Sequence, residues 1–193
     1  ICSNSSNCAQ LITVKDTTPP SITCSAGTNL SCTLEIPIPN LNSVITSDNC
    51  AGTVMVSYIK DSIANQTCTN RYSLIRIYEA KDVCGNKNRC TQTFQINDQT
   101  GPGINCPSTV NISCAFEVPN PTPNNVISND FCGGPVTVIH LKDSIFSQTC
   151  INRYTIRRTF RSTDICGNSS TCNQTIRVMD FVAPVLTCPI DVV

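Results

Sequence analysis

Fifteen cysteines carry the reactive chemistry of this 193-residue chain. Thiols can close disulfides, hold a metal ion or act as nucleophiles. Zinc knuckles place cysteines in close pairs such as C-x2-C, usually with histidine. Here the gaps within one period are seven, seventeen, fifteen or five intervening residues, and His140 is the only histidine. That pattern points to disulfides and to an oxidising compartment: secreted, periplasmic or cell surface, with extracellular or cell-surface placement the one expected. No metal site and no cofactor are expected.

The cysteines form a series. Cys2, Cys8, Cys24, Cys32, Cys50, Cys68, Cys84, Cys90 and Cys106 each have a counterpart later in the chain at one fixed offset, ending with Cys188. Other residues keep the same register. Lys60-Asp61-Ser62-Ile63 returns as Lys142 to Ile145, and Cys84-Gly85-Asn86 as Cys166 to Asn168. Nearly half of the aligned positions are identical, without a gap. Ungapped repetition of this length means one fold used in tandem. The expected organisation is the end of an upstream repeat (1–15), two whole repeats (16–97 and 98–179) and the start of another (180–193).

Sequence does not give connectivity, since six cysteines allow fifteen pairings. Bridges between near neighbours are expected: Cys2–Cys8, Cys24–Cys32, Cys50–Cys68, Cys84–Cys90, Cys106–Cys114, Cys132–Cys150 and Cys166–Cys172, with Cys188 left single. The strongest argument is Cys84–Cys90, where Gly85-Asn86 supplies turn chemistry between two strands. The opposite phase, joining Cys90 to Cys106, is equally compatible with the cysteine count. Loops this short would contribute roughly 2.5–3 kcal/mol each by the chain-entropy model.

Other reactive groups give little. Asp61-Ser62-Ile63, Asp143-Ser144-Ile145 and Asp16-Thr17-Thr18 make Ser62, Ser144 and Thr17 candidate O-glycosylation positions, with a polar turn as the plainer reading. Asp16, Asp98 and Asp180 fall at the joints between copies, and Asp48, Asp82, Asp130 and Asp164 inside the repeats. Calcium would need several carboxylates together, so turn capping is the plainer role. A lone histidine and the absence of any nucleophile motif give no catalytic residues. Net charge is zero, with no basic stripe for nucleic acid, and no apolar run spans a bilayer.

The elements that hold these residues are strands. Val54, Val56 and Tyr58 share one parity, as do Tyr72, Leu74 and Tyr78, and Phe94 and Ile96. Arg76 and Arg158 break that parity, which predicts a bulge or a snorkelling side chain. Shorter strands fit Ser21–Cys24, Asn29–Ser31, Leu34–Ile36 and Ser43–Thr46. The reading is all-β: tandem, disulfide-stapled, immunoglobulin-like Greek-key sandwiches. The joints are short and carry proline, so repeats arranged end to end in a semi-stiff rod are expected.

The motifs D-x-x-x-P-x-I-x-C-P (Asp98 to Pro107), S-D-N-C (Ser47 to Cys50), D-x-C-G-N-x-x-x-C (Asp164 to Cys172) and the segment Ile176 to Asp180 resemble HYR-like, immunoglobulin-like repeats. Such repeats build very large secreted surface proteins of Bacteroidota, including the SprB-like gliding-motility adhesin type. The resemblance implies a secreted, non-catalytic shaft repeat of a cell-surface adhesin or filament. Its partners would be neighbouring repeats, surface polysaccharide or other cells, with lateral self-association open. The alternative is a module whose faces each bind a glycan or protein.

Overall fold

The computed structural model describes residues 2–188. Each repeat carries six strands, and no α-helix occurs among the described residues. In the first repeat these are β1 (Ser21–Thr23), β2 (Asn29–Leu30), β3 (Ile45–Ser47), β4 (Met55–Cys68), β5 (Arg71–Lys81) and β6 (Lys87–Asn97). In the second they are β7 (Gly103–Asn105), β8 (Val110–Ile112), β9 (Ile127–Asn129), β10 (Thr137–Cys150), β11 (Arg153–Thr163) and β12 (Ser169–Met179). Each repeat makes a four-stranded sheet, in the orders β2-β6-β5-β4 and β8-β12-β11-β10, and a two-stranded sheet, β1-β3 or β7-β9. The result is an all-β, disulfide-stapled, immunoglobulin-like sandwich.

Period-two patterning builds the core. On β11, Ile156, Arg158, Phe160 and Ser162 are buried, and on β12, Gln174, Ile176 and Val178. The two strands pair without a break, Ile156 against Ile176 and Phe160 against Cys172. The small sheet closes over this face. Ser128 of β9 lies 2.6 Å from the fully buried Ser162 hydroxyl and donates from Oγ to the Gly103 carbonyl at 2.9 Å. Gly101 passes so close to the start of β12 that a Cβ there would sit 2.7 Å from the Ser169 carbonyl carbon.

Three expectations change. Arg158 neither bulges its strand nor snorkels. It is 3% exposed and sits directly across from Asp143 on β10, with Nη2 and Nε donating to that carboxylate at 2.8 and 3.0 Å and Nη1 to the Pro119 carbonyl at 2.8 Å. Arg76 does the same with Asp61 and Pro37. The irregularity lies on the partner strand, where the register shifts between His140 and Lys142. Parity misleads here because the counter-ion of the charged residue is 15 residues away in sequence. Leu34–Ile36 is not a strand: a 3-10 turn spans Thr33–Glu35, and Glu35 Oε2 takes the Ser31 and Cys32 amides at 2.7 and 3.2 Å. Ser43–Thr46 is split between a 3-10 turn at Leu41–Ser43 and β3.

By compactness the chain forms two units. One holds Ile1–Asn29, Ile36–Asn65 and Ser73–Gln95. The other holds Ile96–Val193 together with two segments of the first repeat, Leu30–Glu35 and Gln66–Tyr72. Those segments are the turn after β2 and the tip of the β4–β5 hairpin.

Candidate functional site

The disulfides do not join near neighbours. Cys24 pairs with Cys90 and Cys106 with Cys172, each across 66 residues. Cys32 pairs with Cys132 across 100 residues, and Cys68 with Cys166 across 98. The expected pairs Cys24–Cys32, Cys50–Cys68, Cys84–Cys90, Cys106–Cys114, Cys132–Cys150 and Cys166–Cys172 are therefore replaced. Cys2 and Cys8, also expected to pair, both carry no disulfide.

The geometry explains each correction. A disulfide needs Cα atoms within about 7 Å. Cys50 precedes β4 and Cys68 ends it, and a 14-residue strand spans roughly 45 Å. Cys166 lies in the turn between Thr163 and Ser169, whereas Cys172 is three residues into β12, about 10 Å along the strand. Cys24 is bonded to Cys90 on β6 and Cys32 to Cys132 of the next repeat, so neither sulfur is available to the other. The Gly-Asn turns are present, but Cys84 carries no disulfide and its copy Cys166 bonds Cys68. Cys24–Cys90 and Cys106–Cys172 tie small sheet to large sheet within a repeat. The other two tie successive repeats and lie wholly inside the second compact unit.

Around these two bridges the second unit builds a polar joint. Asn70 is 2% exposed; its Oδ1 accepts the Thr33 amide at 3.2 Å and its Nδ2 donates to the Cys132 carbonyl at 3.3 Å. Arg71 donates to the Asp98 carbonyl at 2.6 Å, the Cys166 carbonyl at 3.4 Å and Asn168 Oδ1 at 3.3 Å. Asn168 Nδ2 donates to the same Asp98 carbonyl at 3.2 Å. Arg71 recurs one period later as Arg153. The copy Arg153 does donate to the Asp180 carbonyl at 3.0 Å.

Asp164 organises the turn that presents Cys166. Its Oδ1 accepts the Cys166 and Asn168 amides at 2.8 and 2.9 Å, and its Oδ2 accepts Asn168 Nδ2 at 2.9 Å. Gly167 takes φ +86°, a left-handed conformation that glycine adopts without steric cost. In the first repeat Asp82 makes the equivalent turn. Burial raises its pKa, but bonds from Asn86, Gly85 and Cys84 outweigh that and hold the carboxyl below its ordinary value.

Carboxylates treated separately in the sequence converge in space. Asp16, Asp48 and Asp82 bring oxygens within 4.8 Å of one another, and carboxylate oxygens of Asp98 and Asp130 lie as close to each other and to the Cys132 Sγ. One oxygen each of Asp16, Asp48, Asp98 and Asp130 is buried without a hydrogen-bond partner. The first trio is an oxygen donor set suited to a hard cation. The second is poorer, because the Cys132 sulfur is committed to a disulfide. Burial pushes the Asp130 carboxyl up, with Asp98 and Asp164 adding to it. A fold that prefers the protonated form loses stability as pH rises from about 4 through the raised value. Asp130→Asn is therefore expected to raise the thermal midpoint at pH 7, with the gain fading toward pH 4. Thermal scans across that range check it, and an unchanged midpoint at pH 7 refutes it.

The remaining candidates are scattered. Ser62 and Ser144 are half-buried within β4 and β10, not in loops, and their aspartates are engaged by Arg76 and Arg158. Thr17 is exposed. His140 bonds Asp143 at 2.9 Å. No helix among the described residues is long and apolar enough to cross a membrane.

Residues 103–178 match the HYR-like domain with four cysteines. No curated protein matches the sequence. Among solved structures, similarity extends to a human mucin-like protocadherin EC1-2 fragment (9% identity, TM-score 0.32, 83% of this chain and 98% of that one). It also extends to Drosophila N-cadherin EC1-4 (10%, 0.28, 83% and 50%) and the protocadherin γB4 extracellular domain (18%, 0.36, 86% and 33%). The chain spans half or less of the last two.

Proposed function

We propose that this chain is a non-catalytic, extracellular adhesion-type repeat segment, the shaft of a long cell-surface adhesin or filament of the kind used in attachment or gliding. The observation that carries the reading is the pair of bridges Cys32–Cys132 and Cys68–Cys166 between successive repeats. A joint held by one peptide link and two disulfides resists bending and twisting, which a shaft needs and a binding module does not. The HYR-like match of the second repeat fits an extracellular setting, as do the four disulfides. Thr17, exposed beside Asp16, is the position most open to a glycan.

Small-angle scattering tests the shaft role. The oxidised chain is expected to give one narrow distribution of end-to-end lengths. The quadruple variant C32S/C68S/C132S/C166S, which keeps Cys24–Cys90 and Cys106–Cys172, is expected to give a broad one. Equal breadth in both would remove the mechanical role of the joint.

A further inference from the structure

Seven cysteines carry no disulfide among the described residues: Cys2, Cys8, Cys50, Cys84, Cys114, Cys150 and Cys188. Each lies one or more whole periods from a paired one. Cys50 and Cys84 correspond to Cys132 and Cys166, which receive the joint bridges. Cys114 and Cys150 correspond to Cys32 and Cys68, which send them. The three observed separations of 66, 100 and 98 residues, moved along by whole periods, give each of the seven a single partner position, in an adjoining repeat for Cys2, Cys50, Cys84, Cys114 and Cys150 and in its own repeat for Cys8 and Cys188.

Local structure matches as closely as the numbering. The turn at Ala115–Glu117 copies that at Thr33–Glu35, with Glu117 Oε2 taking the Ser113 and Cys114 amides at 2.9 and 2.8 Å. Asn152 Oδ1 holds the Ala115 amide at 2.9 Å, as Asn70 holds Thr33. Only the covering differs. Cys32, Asn70 and Tyr72 are buried at 0, 2 and 6% exposure. Their copies Cys114, Asn152 and Tyr154 are half-buried, and Cys150 is exposed. At the receiving end Cys132 is buried while Cys50 is exposed. Partial desolvation pushes the Cys50 thiol up, with Asp16 and Asp48 adding to it.

We propose that Cys114 with Cys150 forms one half of a covalent two-disulfide socket, and Cys50 with Cys84 the complementary half, so that the partner of each is a further copy of this same repeat. Cys114 bonds the Cys50 equivalent and Cys150 the Cys84 equivalent. Per bond, two thiols lose two protons and two electrons, and one glutathione disulfide is reduced to two glutathione molecules. The inference stands on pairing geometry and would survive failure of the shaft reading.

The test lengthens the chain by one period, with a second copy of residues 98–179 placed directly after Met179, oxidised in a glutathione buffer. Six cysteines are added. If the socket closes, the free thiol count stays at seven and peptide mapping finds Cys114 and Cys150 joined to the added copies of Cys132 and Cys166. Four extra thiols, or Cys114 bonded to Cys150, would overturn the proposal. C114S/C150S in the lengthened chain guards against misfolding: it should retain all bridges within repeats and leave the two receiving thiols of the added copy free. A second arm mixes two forms of the original chain, C50S/C84S and C114S/C150S, both also carrying C2S/C8S/C188S. A mixed dimer joined at Cys114–Cys50 and Cys150–Cys84 assigns the socket to separate chains as well. Its absence, with the first arm positive, restricts it to one polypeptide. Dimers in either form alone would count against the pairing.

Discussion

Held between Cys24 and Cys172 and stretched in a single-molecule instrument, the oxidised chain is expected to yield only about 55 Å, against roughly 500 Å after reduction, at the reach of a fully extended backbone. The difference follows from the crosslink pattern. Unbridged, the whole chain from Cys24 to Cys172 can extend. With Cys24 joined to Cys90 and Cys106 to Cys172, the shortest covalent path contains only the backbone from Cys90 to Cys106. The near-neighbour pairing would shorten the path far less, because its loops are short and leave most of the chain free to extend. Extension of the oxidised form far beyond the length of that one segment would exclude the long pairing. Equilibrium stability should follow: the chain-entropy model gives about 4–5 kcal/mol for each loop of this size. Removing Cys106–Cys172 as a serine pair is expected to lower the denaturant midpoint accordingly.

The second large effect is expected at Asp143. Asp143→Ala leaves the Arg158 guanidinium buried with only the Pro119 carbonyl as a strong partner. Breaking one side of a buried pair costs about 3–5 kcal/mol. This pair is only partly buried, with the aspartate side chain 32% exposed, so the low end of that range, about 3 kcal/mol, is expected. The double variant D143A/R158M should recover most of that, because an apolar side chain replaces an uncompensated charge. Failure of the double variant to recover would show that the bond to Pro119, not the charge pair, matters. Bonding from Arg158 holds the Asp143 carboxyl below its ordinary value, with His140 assisting. A depressed carboxyl contributes stability above about pH 4 and loses it as pH falls through the lowered value. The D143A penalty should therefore shrink below pH 4 in acid titrations followed by circular dichroism.

Much of this fold is legible in the residues. Alternation at Tyr72, Leu74 and Tyr78 locates β5, and the ungapped period announces one architecture used twice. What is not legible has identifiable reasons. Arg158 looks like an interruption because its partner sits on another strand. Apolar alternation in β4 stops near Tyr58, since Lys60-Asp61-Ser62 is polar, yet the strand continues to Cys68 with its outer half largely exposed. That hidden length makes Cys50–Cys68 look close in sequence when the strand holds them apart. The acidic clusters are invisible because turns, not neighbouring positions, bring Asp16, Asp48 and Asp82 together. The joint bridges are compatible with the period alone: a cysteine pattern that repeats without change is as consistent with pairing to the next copy as within one.

Cys32–Cys132 and Cys68–Cys166 have a consequence for resistance to proteolysis. The loops Cys24–Cys90 and Cys106–Cys172 leave the stretch from Cys90 to Cys106 uncovered, and both joint bridges span it. One backbone cut by a protease anywhere from Cys24 to Cys172 thus leaves the molecule a single covalent piece. After scission between Cys90 and Cys106, load passes through Cys68–Cys166 instead. A damaged strand of this kind keeps bearing force, and its wounds become visible only when thiols are added.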